Sequence, residues 1–163
     1  MAIERLGTHP VWAFAEHEHR DLVRGINRIH ELARGLSGRP SVELSVHLLG
    51  VLDWFDGTLV PHAAWEESWL YPEIDARLDT PWATRAARFD HQQLRDLAGK
   101  LRVDQHLLRS GSSDEQHAEI RGHLFGLEAL LRAHIEREER FLIPLLDEDR
   151  RSSDVSPMRS GLT

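Results

Sequence analysis

Apolar residues recur at three- and four-residue steps in four long stretches, a pattern typical of amphipathic helices around a shared core. The first stretch runs from about residue 10 to 33 and the second from about 41 to 70. The third begins near residue 80, where Thr80 suits a helix cap and Pro81 a first turn. The fourth begins at "SSDEQ", which resembles a capping box. The links between them, "GLSGRPS", "YPEIDARLDTP" and "RSGSSDE", are short. Short links favour antiparallel neighbours, so we predict an all-α, up-down-up-down antiparallel four-helix bundle.

The length of 163 residues suits one domain. We assign residues 1–148 to the bundle and expect the polar, aperiodic tail, residues 149–163, to be disordered. Gly57 and Pro61 interrupt the second stretch just before His62. Proline removes a helical hydrogen bond, so this helix is expected either to bend beside His62 or to consist of two shorter helices.

One segment of the chain is written twice, 72 residues apart. "HAAWEESWLYP" at residues 62–72 returns as "HIEREERFLIP" at 134–144, and "EHRDL" around His19 returns as "DHQQL" around His91. The apolar stripe keeps the same offset, as in Leu59 and Leu131. The repeat predicts two helix-turn-helix units that pair about a pseudo-two-fold axis.

Ionisable side chains interrupt the apolar stripes at repeated positions. Residues four apart share a helix face, so each His-x-x-x-Glu unit directs two side chains the same way. Burying several imidazoles and carboxylates without a partner costs many kcal/mol or shifts their pKa values, whereas a metal ion removes that cost. The chain has no cysteine, and a sulfur-free set of imidazoles and carboxylates suits Fe, Mn or Zn. The predicted metal ligands are His19, His62, Glu66, His91, His134 and Glu138.

The neighbours of these residues have other predicted roles. Glu67 and Glu139 are alternative ligands, or else partners of the ligands or solvated charges. Trp69 is expected to pack beside the ligands, and Tyr71 is expected to lie off the ligand stripe and not to be a ligand. His17 is expected to face solvent.

The order His, His-x-x-x-Glu, His, His-x-x-x-Glu resembles the hemerythrin-like family, the His-His-Glu cation-binding domains, over about residues 10–148. The resemblance implies a four-helix bundle that holds two non-haem irons joined by an oxo or hydroxo bridge. His19 and His62 would hold one iron, His91 and His134 the other, and Glu66 and Glu138 would bridge them.

The chain departs from the oxygen carriers of that family at two places. Arg95 stands where they have a further histidine, and their last carboxylate would correspond to Glu139 rather than Glu138. Counting donors leaves one position open to ligand or water on each iron, which favours turnover of peroxide or NO over reversible O2 carriage.

The function expected from the sequence is therefore a di-iron protein that binds and turns over peroxide, NO or O2, with a redox partner that the sequence does not identify. The alternatives are an iron- or oxygen-responsive sensor, an O2-binding protein without turnover, and a helical interaction domain with zinc or no metal. The net charge of −7 disfavours nucleic acid as a partner. No apolar run suits a signal peptide or a membrane span, so a cytoplasmic protein without a membrane partner is expected.

Overall fold

The structure, a computed structural model, describes residues 11–108 and 111–146, with side chains described from residue 17 onwards. Within these ranges the chain is almost entirely helical. The elements are α1 (Val11–Arg34), α2 (Ser41–Trp54), a π-helical turn (Phe55–Leu59), α3 (Val60–Trp65), a second π turn (Glu66–Leu70), α4 (Tyr71–Arg77), α5 (Arg85–Leu107), α6 (Asp114–Arg137), a third π turn (Glu138–Leu142) and a 3-10 turn (Ile143–Leu146).

These elements form four bundle helices. The second bundle helix is the continuous stretch 41–77, and the fourth is the continuous stretch 114–146. Helix α1 packs against α2 and α6, and α5 packs against the same two helices, which closes the ring. The described residues contain no strand, so the predicted four-helix bundle is confirmed.

Each π turn ends two residues before a proline. The prolines are Pro61, Pro72 and Pro144, after turns that end at Leu59, Leu70 and Leu142. Proline lacks the N–H group and clashes with the carbonyl four residues earlier, whereas a π turn shifts the hydrogen bonds to five residues and widens the helix there. The second bundle helix therefore stays continuous past Pro61, so of the two alternatives that of two shorter helices is wrong.

The ends of the bundle helices differ in part from the prediction. Ser113 and Gln116 form the expected capping box at the start of α6. The link predicted after Leu70 is instead helical up to Arg77, and α5 begins at Arg85 rather than near Thr80. The backbone N–H and the hydroxyl of Thr84 both donate to the carboxylate of Asp75, which fixes this turn by a contact that periodicity does not reveal.

The buried apolar residues form two clusters, with the predicted ligands between them. In sequence, five of the six ligands, all except His19, lie between Leu59 and Leu70, between Ala87 and Leu94, or between Leu131 and Leu142, and one member of each pair belongs to each cluster. Packed apolar residues therefore shield the ligand side chains from solvent on both sides. No described helix combines the length and the apolar character needed to cross a membrane. The predicted tail, 149–163, lies outside the described residues.

Candidate metal centre

The six predicted ligands come together in the interior of the bundle. All four bundle helices contribute: α1 carries His19, the second bundle helix His62 and Glu66, α5 His91, and the fourth bundle helix His134 and Glu138. Each of these side chains is at most 3% exposed. The apolar stripe that dictates the helix packing also dictates this convergence, because the ligands occupy core positions of that stripe.

Two groups of donor atoms can be distinguished, each within a sphere suited to one cation. One group is formed by His19, His62, Glu66 and Glu138, and the other by Glu66, His91 and His134; the donor atoms of each group lie within 4.8 Å of one another. We call the His19 and His62 side position A and the His91 and His134 side position B.

Glu66 spans both positions. Its Oε1 atom lies 2.8 Å from His62 Nε2, and its Oε2 atom lies 3.1 Å from His91 Nε2. Glu138 approaches both sides through one oxygen, since its Oε2 atom lies 3.3 Å from His19 Nε2 and 3.6 Å from His134 Nε2. Glu66, with one carboxylate oxygen toward each position, therefore has the geometry of a bridging ligand.

Several inward-facing polar atoms are without a hydrogen-bond partner among the described residues, including His19 Nε2, His62 Nε2, Glu66 Oε1 and Glu138 Oε2. Buried polar atoms of native proteins are almost always paired, so a group of unpaired ones in one place indicates an ion that satisfies them. The residues present therefore fit a metal centre.

A second layer of carboxylates lies behind the histidines. Because a carboxylate only accepts, His91 Nδ1 donates to Glu67 Oε1 at 2.8 Å and His19 Nδ1 donates to Glu139 Oε1 at 3.2 Å. Such bonds fix the orientation of the ring and leave Nε2 free for a metal. Glu67 and Glu139, the alternative ligands, thus point at the outer nitrogens, while Glu66 and Glu138 point into the centre.

The buried charges shift the pKa values of the centre in the metal-free protein. Burial alone would lower the pKa of His19, but Glu138 and Glu66 together raise it to about 10. Burial likewise opposes the charge on His134, and the nearby Asp90, Glu66 and Glu138 raise its pKa to about 9. Burial would raise the pKa of Glu66, but the four surrounding histidines hold it well below its ordinary value. These shifts favour protonated histidines beside an ionised Glu66 in the metal-free protein.

Tyr71 belongs to the centre, although its sequence position predicted a place off the ligand stripe. Its side chain is fully buried, and its hydroxyl donates to Glu138 Oε1 at 2.5 Å and lies 3.4 Å from His91 Nε2. In an α-helix Tyr71 would point about 140° away from Glu66. The intervening π turn bonds Tyr71 N–H to the Glu66 carbonyl, so residues five apart face the same way.

Two neighbouring residues differ from or extend the expectation. Trp69 does not pack beside the ligands: it is 72% exposed, because the π turn rotates it outward. Arg95, at the position of a further histidine in oxygen carriers, pairs with Glu67 at 3.5 Å. His17 is exposed, as predicted.

A small pocket lies against position B. Its volume is about 10 Å³, and its lining residues are Phe55, Leu59, Val60, Ala63, His91, Leu94 and Arg95. This volume is at the lower limit for holding one water molecule. The space beside His91 therefore matches a ligand of very few atoms.

A family profile described as the hemerythrin HHE cation binding domain matches residues 12–146. No curated protein and no solved structure gives a match.

Proposed function

Since the chain belongs to the hemerythrin HHE cation-binding domain family, we propose that it holds two iron ions and turns over a small oxidant: peroxide, NO or O2. The observation that carries the proposal is the convergence of four imidazoles and two carboxylates, all buried, on one interior space. Several of their polar atoms there have no hydrogen-bond partner among the described residues. His19 and His62 would hold one iron, His91 and His134 the other, and Glu66 and Glu138 would bridge the two. Bound iron would supply the electron transfer to and from the oxidant.

The surrounding residues favour a small reactant over a larger substrate. The pocket beside His91 has room for no more than about one water-sized molecule, and apolar side chains line most of it. The Tyr71 hydroxyl lies at the same side, with its proton held toward Glu138 Oε1. Burial and the two nearby carboxylates raise the pKa of Tyr71, so this residue stays protonated and acts as a hydrogen-bond donor.

Peroxide disproportionation requires no further reactant, since one peroxide is oxidised and another is reduced. Reduction of NO or O2 requires an electron donor, which we take to be a separate redox partner. A cytoplasmic setting, with neither nucleic acid nor membrane as partner, remains part of the proposal.

The test is anaerobic titration with Fe(II), followed by addition of peroxide. We expect two irons per chain and rapid, repeated loss of peroxide. Glu66→Gln should lower iron affinity by more than about 100-fold and abolish turnover, because the carboxylate that spans both positions loses its charge. Glu73→Gln is the matched control: Glu73 lies on the same bundle helix, and its bond to Arg77 is exposed.

Three results would contradict the proposal. They are fewer than two irons per chain, retention of zinc alone, and an iron-loaded protein that leaves peroxide and NO unchanged.

A sensor is a second candidate, favoured by the distribution of the ligands over all four bundle helices. Metal loss would then loosen the whole bundle, since metal binding and folding are coupled. Hydrogen exchange of the iron-loaded and metal-free forms separates the two functions. A sensor requires a large change in protection together with negligible peroxide turnover, whereas a catalyst requires turnover at any degree of loosening.

A further inference from the structure

The two metal positions are surrounded by carboxylates that the repeat relates in pairs. Glu67 and Asp90 lie behind the histidines of position B, and their equivalents 72 residues away, Glu139 and Glu18, lie behind those of position A. The distances from carboxylate oxygen to Nδ1 are 2.8 Å for Glu67 to His91, 3.5 Å for Asp90 to His134, 3.2 Å for Glu139 to His19 and 3.9 Å for Glu18 to His62. Each histidine thus has one carboxylate behind it.

At position B both of these carboxylates are paired with arginine. Arg95 Nη1 lies 3.5 Å from Glu67 Oε1, the oxygen that accepts from His91. Arg137 donates to Asp90 Oδ2, the oxygen nearest His134. In each case one carboxylate oxygen is shared between an arginine and a metal-facing histidine.

The repeat does not carry these arginines over to position A. The residues 72 positions before Arg95 and Arg137 are Val23 and Trp65, which bear no charge. Val23 follows His19 by four residues, as Arg95 follows His91. The repeat therefore keeps the carboxylate at both positions, whereas the two arginines that pair with them at position B have uncharged counterparts 72 residues earlier.

A carboxylate behind a metal-bound histidine strengthens the imidazole as a donor. An arginine on that same carboxylate draws its negative charge away and also places a positive charge near the metal. Arg95 is about half exposed, so solvent screens its effect, whereas Arg137 bonds a carboxylate that is only 9% exposed.

We propose that these two arginines make the positions unequal: position A binds the first cation, and position B binds the second cation more weakly. This inference rests on the proposed pair of metal ions, but it does not require turnover. Arg95 and Arg137 are positioning residues that act through Glu67 and Asp90 and do not contact the metal themselves.

The test uses Fe(II), added anaerobically at one equivalent per chain. Anomalous diffraction from crystals of the protein loaded with one equivalent of Fe(II) gives the occupancy of each position. Titration in solution gives the two stepwise binding constants. We expect position A to be occupied about threefold to tenfold more than position B.

Substitutions at the two positions should change the constants in opposite directions. Arg95→Gln should raise the affinity of position B, and the double variant with Arg137→Gln should raise it further. Val23→Arg should lower the affinity of position A. All three bring the occupancy ratio closer to one. Arg140→Gln, which removes an exposed arginine paired with Glu136 on the fourth bundle helix, should leave both constants unchanged.

A gain of affinity in Arg95→Gln distinguishes this role from a structural one, since damage to the fold would weaken binding. Equal occupancy in the natural chain, preferential occupancy of position B, or a ratio unaffected by both Arg95→Gln and Val23→Arg would overturn the inference. The outcome is separate from that of the proposed function: two irons with peroxide turnover can accompany equal positions, and unequal positions can accompany an inert protein.

Discussion

The second and fourth bundle helices carry the same His-x-x-x-Glu ligands but differ in the residue that follows the π turn. Five residues after Glu66 the second bundle helix has Tyr71, and five residues after Glu138 the fourth has Ile143. Both positions follow a π turn and both side chains are buried. Only the tyrosine brings a hydroxyl to the ligands. The repeat thus keeps the ligands of the two halves alike and differentiates their surroundings.

The packing of apolar side chains also differs between the first and second halves. A Cβ atom on Gly25 would overlap the indole of Trp54, and the equivalent pair in the second half is Leu97 and Gly126. The large residue thus sits on opposite members of the pair in the two halves. A pseudo-symmetric bundle can fill its volume in this way without repeating the same side chains.

The largest expected effect on the free energy of unfolding concerns pH and the metal-free protein. The pKa values of His19 and His134 are raised from 6.5, so their contribution is fully present below about pH 6.5 and is lost as the pH rises through about 9 and 10. The pKa of Glu66 is lowered, so its contribution is lost as the pH falls below its ordinary value of 4.5. Urea unfolding should show a maximum between these limits and a loss on the order of a few kcal/mol toward pH 10.

Each half of the molecule supplies one of the two histidines, which allows the effect to be divided. His19→Gln should leave a decline that is complete near pH 9, and His134→Gln one that extends to about pH 10. The same free energy of unfolding from pH 6.5 to 10 in the natural chain would contradict the prediction.

A smaller effect is expected for the glycines. Gly25→Ala should lower the free energy of unfolding by about 1–3 kcal/mol, because the new methyl group overlaps the indole of Trp54. Gly126→Ala is the matched control: its Cβ atom would lie at an ordinary contact distance of 3.6 Å from Leu97, and the helix gains about 0.5–1 kcal/mol from the loss of glycine. Thermal unfolding of both variants measures the difference, and equal shifts would refute the packing argument.

The smallest effect is expected for Tyr71→Phe. Loss of the hydrogen bond to Glu138 should lower the free energy of unfolding of the metal-free protein by about 1 kcal/mol. Peroxide turnover by the iron-loaded protein should also fall, with two irons still bound. Ile143→Leu, a change of similar volume in the other half, should alter neither quantity. Unchanged stability and turnover in Tyr71→Phe would show that the Tyr71 hydroxyl contributes to neither.

The sequence predicted the bundle well, because helix periodicity and core burial follow from the same stripe of residues. The positions of His19, His62, Glu66, His91, His134 and Glu138 in the interior follow from that stripe, although their roles as ligands stay a prediction. The position of Tyr71 could not be predicted from an α-helical register. A usable signal was present: Pro72 and Pro144 close both copies of the repeat, and a helix accommodates such a proline by widening before it.

Local sequence was therefore sufficient for the number of helices, their apolar faces and the residues that enter the interior, since each depends on spacing along one helix. The contacts between helices required the folded chain. Which carboxylate oxygen faces inward, which one receives Nδ1 of a histidine, and which arginines join Glu67 and Asp90 depend on residues far apart in sequence. Those contacts arise from the packing of four helices at once, and they make the two halves of a repeated sequence physically different.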